Sequence, residues 1–112
     1  MINAPGSLTI NCGMGIALTA GSAITLTAGA NLAVTAGANA NLVIGNRLRL
    51  GKALAIESAD GTTLKSGDAK LNMKKDGSVE LQGRDITLRA SGRLEAKASG
   101  NVTIKGSKIL QN

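Results

Sequence analysis

The sequence holds no Phe, Trp, Tyr or His, one Pro and one Cys among 112 residues. Aromatic side chains supply the largest single burials of a globular core, so an apolar interior here has to be built from Leu, Ile, Val, Met and Ala. A lone Cys12 excludes an intrachain disulfide and a thiol-based metal site and reads as a small buried hydrophobe. No apolar run approaches the length of a membrane span. No basic n-region precedes a short apolar h-region, which predicts that export, if any, bypasses the general secretory route. Residues 1–46 contain no Lys, Arg, Asp or Glu; every charged side chain lies from Arg47 onward.

What is present is glycine, 15 residues, about twice the usual ~7%, together with too much Leu, Ile and Val for a disordered chain. Thirteen basic and seven acidic residues give a net charge of +6. These charges stand singly among Thr, Ser and Asn, which predicts a solvated surface and no specific nucleic-acid partner.

The stretch "IALTAGSAITLTAGANLAVTAGA" at residues 16–38 repeats one phrase three times. Leu8, Ile16, Ile24 and Leu32 are eight apart, and so are Ile10, Leu18, Leu26 and Val34. Gly13, Gly21, Gly29, Gly37 and Gly45 keep the same step of eight. Aliphatics at i and i+2 share one face of a β-strand, and the glycine after them permits a kink or turn with positive φ. A helix does not fit, because an octad with apolar pairs two apart keeps no helical stripe. The octads run over about 8–45 and return over about 71–110. There Leu71/Met73, Val79/Leu81, Ile86/Leu88 (one residue early), Leu94/Ala96 and Val102/Ile104 follow one another, and Ile109 closes the series. Between lies an irregular stretch, about 46–70: after Leu42/Ile44, the pairs Leu48/Leu50 and Leu54/Ile56 come unevenly. The polar stretch "ESADGTTLKSGDAKLNMKKDG", with turn signals at Asp60-Gly61 and Asp76-Gly77, reads as a change of surface loops within one domain, 1–112.

These features predict an all-β chain of octapeptide repeats wound as an intertwined triple-stranded β-helix or β-prism, a homotrimer. Each face then stacks strands from three chains in turn, leaving edges only at the two ends. The axial column would consist of Leu8, Ile10, Ile16, Leu18, Ile24, Leu26, Leu32, Val34, Val79, Leu81, Ile86, Leu88, Val102 and Ile104. Aromatics would not fit a narrow threefold axis. No enzymatic activity and no cofactor or metal is expected. Glu57, Asp60, Asp68, Asp76, Glu80, Asp85 and Glu95 fall in turns or beside Lys and Arg, where solvated pairing accounts for them.

The run "MKKDGSVELQGRDITLRASGRLEAKASGNVTIKGSKILQN", residues 73–112, resembles the end of the VgrG spike family of type VI secretion systems. "SGNVTIKGSKI" carries most of that resemblance, and the octads of residues 16–38 are similar to the family's β-helical needle. The resemblance implies a trimeric, cell-puncturing spike on the tube of a contractile, phage-tail-like machine. Such a spike is assembled in the bacterial cytoplasm and secreted through that machine into the target cell's periplasm or cytoplasm. It also implies a PAAR-repeat tip protein on the blunt end, a spike base and tube protein upstream, and the target envelope as partners. The family's base domain has no counterpart in this sequence, so a truncated needle with Met1 as an introduced start is expected. Some phage spikes hold a metal at the apex with His-x-His motifs, which this chain lacks; the blunt-ended kind is therefore implied. Tip docking is expected at Lys108, Ile109, Leu110, Gln111 and Asn112. A phage tail spike, or a β-helical adhesin or ice-binding module using the row Thr19, Thr27 and Thr35, are the alternatives.

Overall fold

The computed structural model describes residues 1–112 and contains three strands and no helix. The strands are β1 (Gly61–Ser66), β2 (Ala69–Lys74) and β3 (Val79–Gln82), joined in one antiparallel sheet of order β1-β2-β3. The chain divides into two units, Met1–Leu48 and Arg49–Asn112.

In the first unit the backbone is extended and bends at 5–6, 13–14, 21–22, 29–30, 37–38 and 45–46. These bends recur every eight residues, and from Gly13 to Gly45 each begins on an octad glycine. Six extended residues separate successive bends, enough for an i, i+2 aliphatic pair and its flanks. In the second unit bends fall at 51–52 and 59–60, then at 84–85, 91–92, 99–100 and 107. The shortened step from 45 to 51 matches the uneven aliphatic spacing there, and the seven-residue step from 84 to 91 matches the early Ile86/Leu88 pair.

The bends differ from the sequence expectation in one respect. Positive φ is confined to Gly67 and Gly77, so the octad corners turn without entering the left-handed region.

The sheet spans the end of the irregular stretch and the first two pairs of the returning octads, so it corrects both the expectation of surface loops and that of octad steps at Leu71/Met73 and Val79/Leu81. Residues 61–74 form two paired strands. The reason is visible in the local alternation: Thr62 and Leu64 on β1 face the same side as Leu71 and Met73 on β2, set by the register Thr62↔Met73 and Leu64↔Leu71. β3 continues both rows through Leu71↔Leu81 and Met73↔Val79. Asp60-Gly61 leads into β1 rather than reversing the chain.

Each hairpin has turn chemistry that suits its length. Gly67, at φ +56°, is the first of two residues between Ser66 and Ala69, and Asp68 stays outside the left-handed region; this is the pattern of a type II′ turn. The second hairpin has three loop residues, Lys75, Asp76 and Gly77. The Gly77 N–H donates to the Lys74 carbonyl at 3.1 Å and the Lys74 N–H donates to the Ser78 carbonyl at 3.0 Å. Gly77 has φ +93°, as a type I turn closed by a glycine bulge requires. The Asp76 carboxylate accepts the Ser78 N–H at 3.0 Å. That backbone bond, with a lesser one from the Ser78 side chain, holds the Asp76 carboxyl below its ordinary range.

Replacing Gly77 by Ala forces a Cβ into a left-handed conformation, at a cost of about 1–2 kcal/mol. Amide hydrogen exchange across β2 and β3 should accelerate roughly 5- to 30-fold. Unchanged exchange in Gly77→Ala would mean that the second hairpin is not formed as described.

Candidate assembly surface

No residue of the chain is buried. All fourteen residues expected on the axis are exposed, between 51% for Ile24 and 80% for Val34. Only Thr62, Lys70, Leu71, Asn72 and Gly83 are partly covered. The chain exposes 12139 Å², about twice the ~5,700 Å² that mass scaling gives for a folded monomer of this size. The excess, about 6,400 Å², is several times the ~800 Å² that one partner contributes to a standard interface.

The backbone tells the same story. Backbone–backbone hydrogen bonds occur only between Asp60 and Gln82: the strand ladders, the second turn and a Lys75 N–H donated to the Asp60 carbonyl at 3.2 Å. Residues 1–59 and 83–112 have none. A single-chain β-helix would pair each octad strand with another strand of the same chain, and here no octad segment of residues 1–59 is so paired. Extended segments with unpaired N–H and C=O groups and an aliphatic face are open on both counts.

Side-chain alternation in the second unit is fixed by charge as well as by hydropathy. Arg93, Glu95 and Lys97 occupy alternate positions around Leu94 and Ala96. Glu95 pairs with Lys97 at 2.7 Å and with Arg93 at 3.7 Å. Both pairs are largely solvated, so they contribute little stability. They do place the charged side chains together and leave Leu94 and Ala96 on the opposite face.

The corner glycines carry a separate signal. A Cβ added at Gly13, Gly21, Gly29, Gly37 or Gly45 meets nothing within 4 Å. With neither positive φ nor crowding, nothing inside one chain requires glycine at any of these five corners.

The remaining features bear on chemistry. An open groove of about 520 Å³ is lined by Ile56, Glu57, Ser58, Ala59, Gly61, Thr62, Met73, Lys74 and Lys75. It holds one carboxylate, Glu57, and two ammonium groups. No three His, Cys, Asp or Glu residues come together as a metal-binding group. Cys12 is exposed rather than buried, because no other segment of the chain covers its octad. Its thiol donates to the Gly15 carbonyl at 2.9 Å, while backbone hydrogen bonds from Met14 and then Gly15 lower its pKa. At the C-terminus the backbone bends at Ser107, and Ile109 and Leu110 follow it exposed, Leu110 at 83%. Lys108, Gln111 and Asn112 are exposed beside them, and no backbone hydrogen bond reaches this end.

Gly29→Ala tests the corners by its sign. In a lone chain the change is free of strain and stabilises by about 0.4–1 kcal/mol through the unfolded state. If another backbone passes close to the corner, the methyl group destabilises instead. A lowered melting temperature is expected, and a raised one would show that the corners face open solvent.

Compared with protein-family models, with curated proteins and with solved structures, the chain has no significant match in any of the three.

Proposed function

We propose that this chain is the needle of a cell-puncturing spike in a contractile type VI secretion machine, built as a homotrimeric β-helix or β-prism. One observation carries the reading. An eight-residue series of bends and aliphatic pairs leaves the octad strands of residues 1–59 and 83–112 without a backbone partner in their own chain. A partner has to supply strands with the same eight-residue step. A second and third copy of this chain do so by construction, and any other protein would have to match that step independently.

Winding three copies about one axis buries Leu8/Ile10 through Leu32/Val34 and Val79/Leu81 through Val102/Ile104 together. It also pairs each strand above and below. The column stays narrow because its side chains are aliphatic and small. Folding is then inseparable from assembly, and dense interchain pairing resists compression, as a piercing element requires. The mechanical role needs no active site. The resemblance of residues 73–112 to the VgrG family supplies the machine, the envelope target and delivery through the machine itself.

The C-terminal end adds the partner. Three copies of Ile109 and Leu110, with unpaired strand edges around them, would present an apolar platform flanked by Lys108, Gln111 and Asn112. A PAAR-repeat tip protein is the proposed occupant, held by edge pairing and apolar contact.

The molecular mass in solution is the decisive measurement. A trimer is expected, and a monomer at micromolar concentration would overturn the reading. Ile24→Asp should abolish that trimer, because three unpaired carboxylates would meet in an apolar column. Thr25→Asp, on the outward side, should change stability by no more than about 0.5 kcal/mol. Equal losses at Ile24 and Thr25 would remove the inward assignment.

Deletion of residues 107–112 should leave the trimer folded and abolish capture of a purified PAAR-repeat protein. Undiminished capture would place docking elsewhere.

A further inference from the structure

The octads create a difficulty that the sheet resolves. Slide one chain by eight residues against its neighbours, and Leu8/Ile10 fall where Ile16/Leu18 had been. Within residues 8–45 each bend again meets a bend, and the aliphatic pairs stay on the same side. A slip of one residue would be rejected, since it reverses every side chain. Within residues 8–45 a slip of one octad keeps the alternation and loses only the pairing of one strand at each end. Residues 8–45 offer several such alignments, and no charged side chain penalises one against another, although Cys12 and Met14 mark the first octad.

The sheet at residues 61–82 breaks the repeat most strongly, beyond the six-residue step from 45 to 51 and the seven-residue step from 84 to 91. Its strands pair within the chain, so its position is fixed relative to the sequence before any copy arrives. Its two faces are chemically distinct. One carries Thr62, Leu64, Leu71, Met73, Val79 and Leu81, aligned by the cross-strand register. The other carries every charge of the sheet: Lys65, Lys70, Lys74 and Glu80. On that charged face Lys65 lies directly opposite Lys70, and the Thr63 hydroxyl donates to Asn72 Oδ1 at 3.1 Å.

We propose that the neutral face of this sheet docks against the same face of the other two copies and so sets the axial register of the trimer. The proposal rests on the homotrimeric reading. The occupant is another copy for two reasons. The face is uncharged, so copies of it can meet without like-charge repulsion, whereas the opposite face, rich in Lys, cannot. The chain also runs out of the sheet at both ends into octad segments that lack partners of their own, so the copies that cover those segments are held beside this face. Leu64, Val79 and Leu81 are each more than half exposed in one chain, leaving the row Leu64–Leu71–Leu81 free to interlock.

The order of events follows from contact distance. Both hairpins close over a few residues, on a timescale of about 1–10 μs, whereas octad pairing waits for a second chain. The face is thus presented first, and the octads zip outward from a fixed starting point.

The experiment uses the full chain, isotopically labelled, and counts backbone amide signals per residue alongside solution mass. A threefold, in-register trimer gives one signal per residue, and octad-slipped trimers give several. The unaltered chain should be a trimer with one signal per residue. Leu71→Lys should give trimers with multiple signals for residues 8–45, or no trimer. A Leu71→Lys trimer that keeps one signal per residue overturns the register role and leaves the homotrimer standing. A monomeric unaltered chain overturns the homotrimer itself. If Leu71→Lys does not assemble, the milder Leu71→Ala and Leu26→Ala are refolded at equal chain concentration. Leu71→Ala should slow assembly by roughly tenfold or more, as a nucleus position does, and Leu26→Ala by less than about twofold. Equal slowing by the two overturns the proposal.

Discussion

Every extended stretch of backbone presents donors and acceptors that must be met by another strand, by side chains or by water, and this accounting governs the molecule. Between Asp60 and Gln82 the chain meets it internally with two tight hairpins. Elsewhere it does not, and the same residues leave their aliphatic pairs uncovered. The two deficits fall on the same residues because both follow from one choice: short straight segments separated by bends, none of which reverses the chain to pair a segment with the one before it. A chain of this kind gains its apolar burial and its strand pairing together, from outside itself, or gains neither.

Much of this could be read from the sequence. The i, i+2 aliphatic pairs and the eight-residue glycine step located the bends of the first unit, and the early Ile86/Leu88 pair located the shortened step in the second. The sheet was harder to see. Thr62/Leu64 and Leu71/Met73 alternate like any other pair, but the eye for octads treats the polar residues between them as loops. The signal that identifies them is Ser66-Gly67-Asp68-Ala69, a two-residue hairpin with glycine in the first position, together with the loop Lys75-Asp76-Gly77. The corner glycines were misjudged for a different reason. Glycine is compatible with positive φ and with close approach of another backbone, and sequence does not separate the two. The φ values reject the first at every octad corner.

The candidate surface divides in a similar way. The axial residues were named from periodicity, which any face-sharing set obeys, and they share their exposure with nearly every other residue of the chain. Residues 108–112 were named from their place in the chain and from family resemblance. The structure adds that their backbone is unpaired and that Ile109 and Leu110 stand clear of everything else. Cys12 was expected to be buried; the structure leaves it exposed, with no other segment of the chain over it.

The uneven distribution of charge has a further consequence, which concerns synthesis. Chains emerge N-terminus first, so the 46 residues without a charge leave the ribosome before the sheet that follows them exists. During that interval they are a series of uncharged aliphatic strands, the composition most prone to indiscriminate stacking between nascent chains. The bend at each corner glycine holds every straight run in the first half to six residues, the lower limit of length for a dry zipper. Repetition is therefore carried in units at the threshold of stacking, whose backbone stays open until another strand pairs with it.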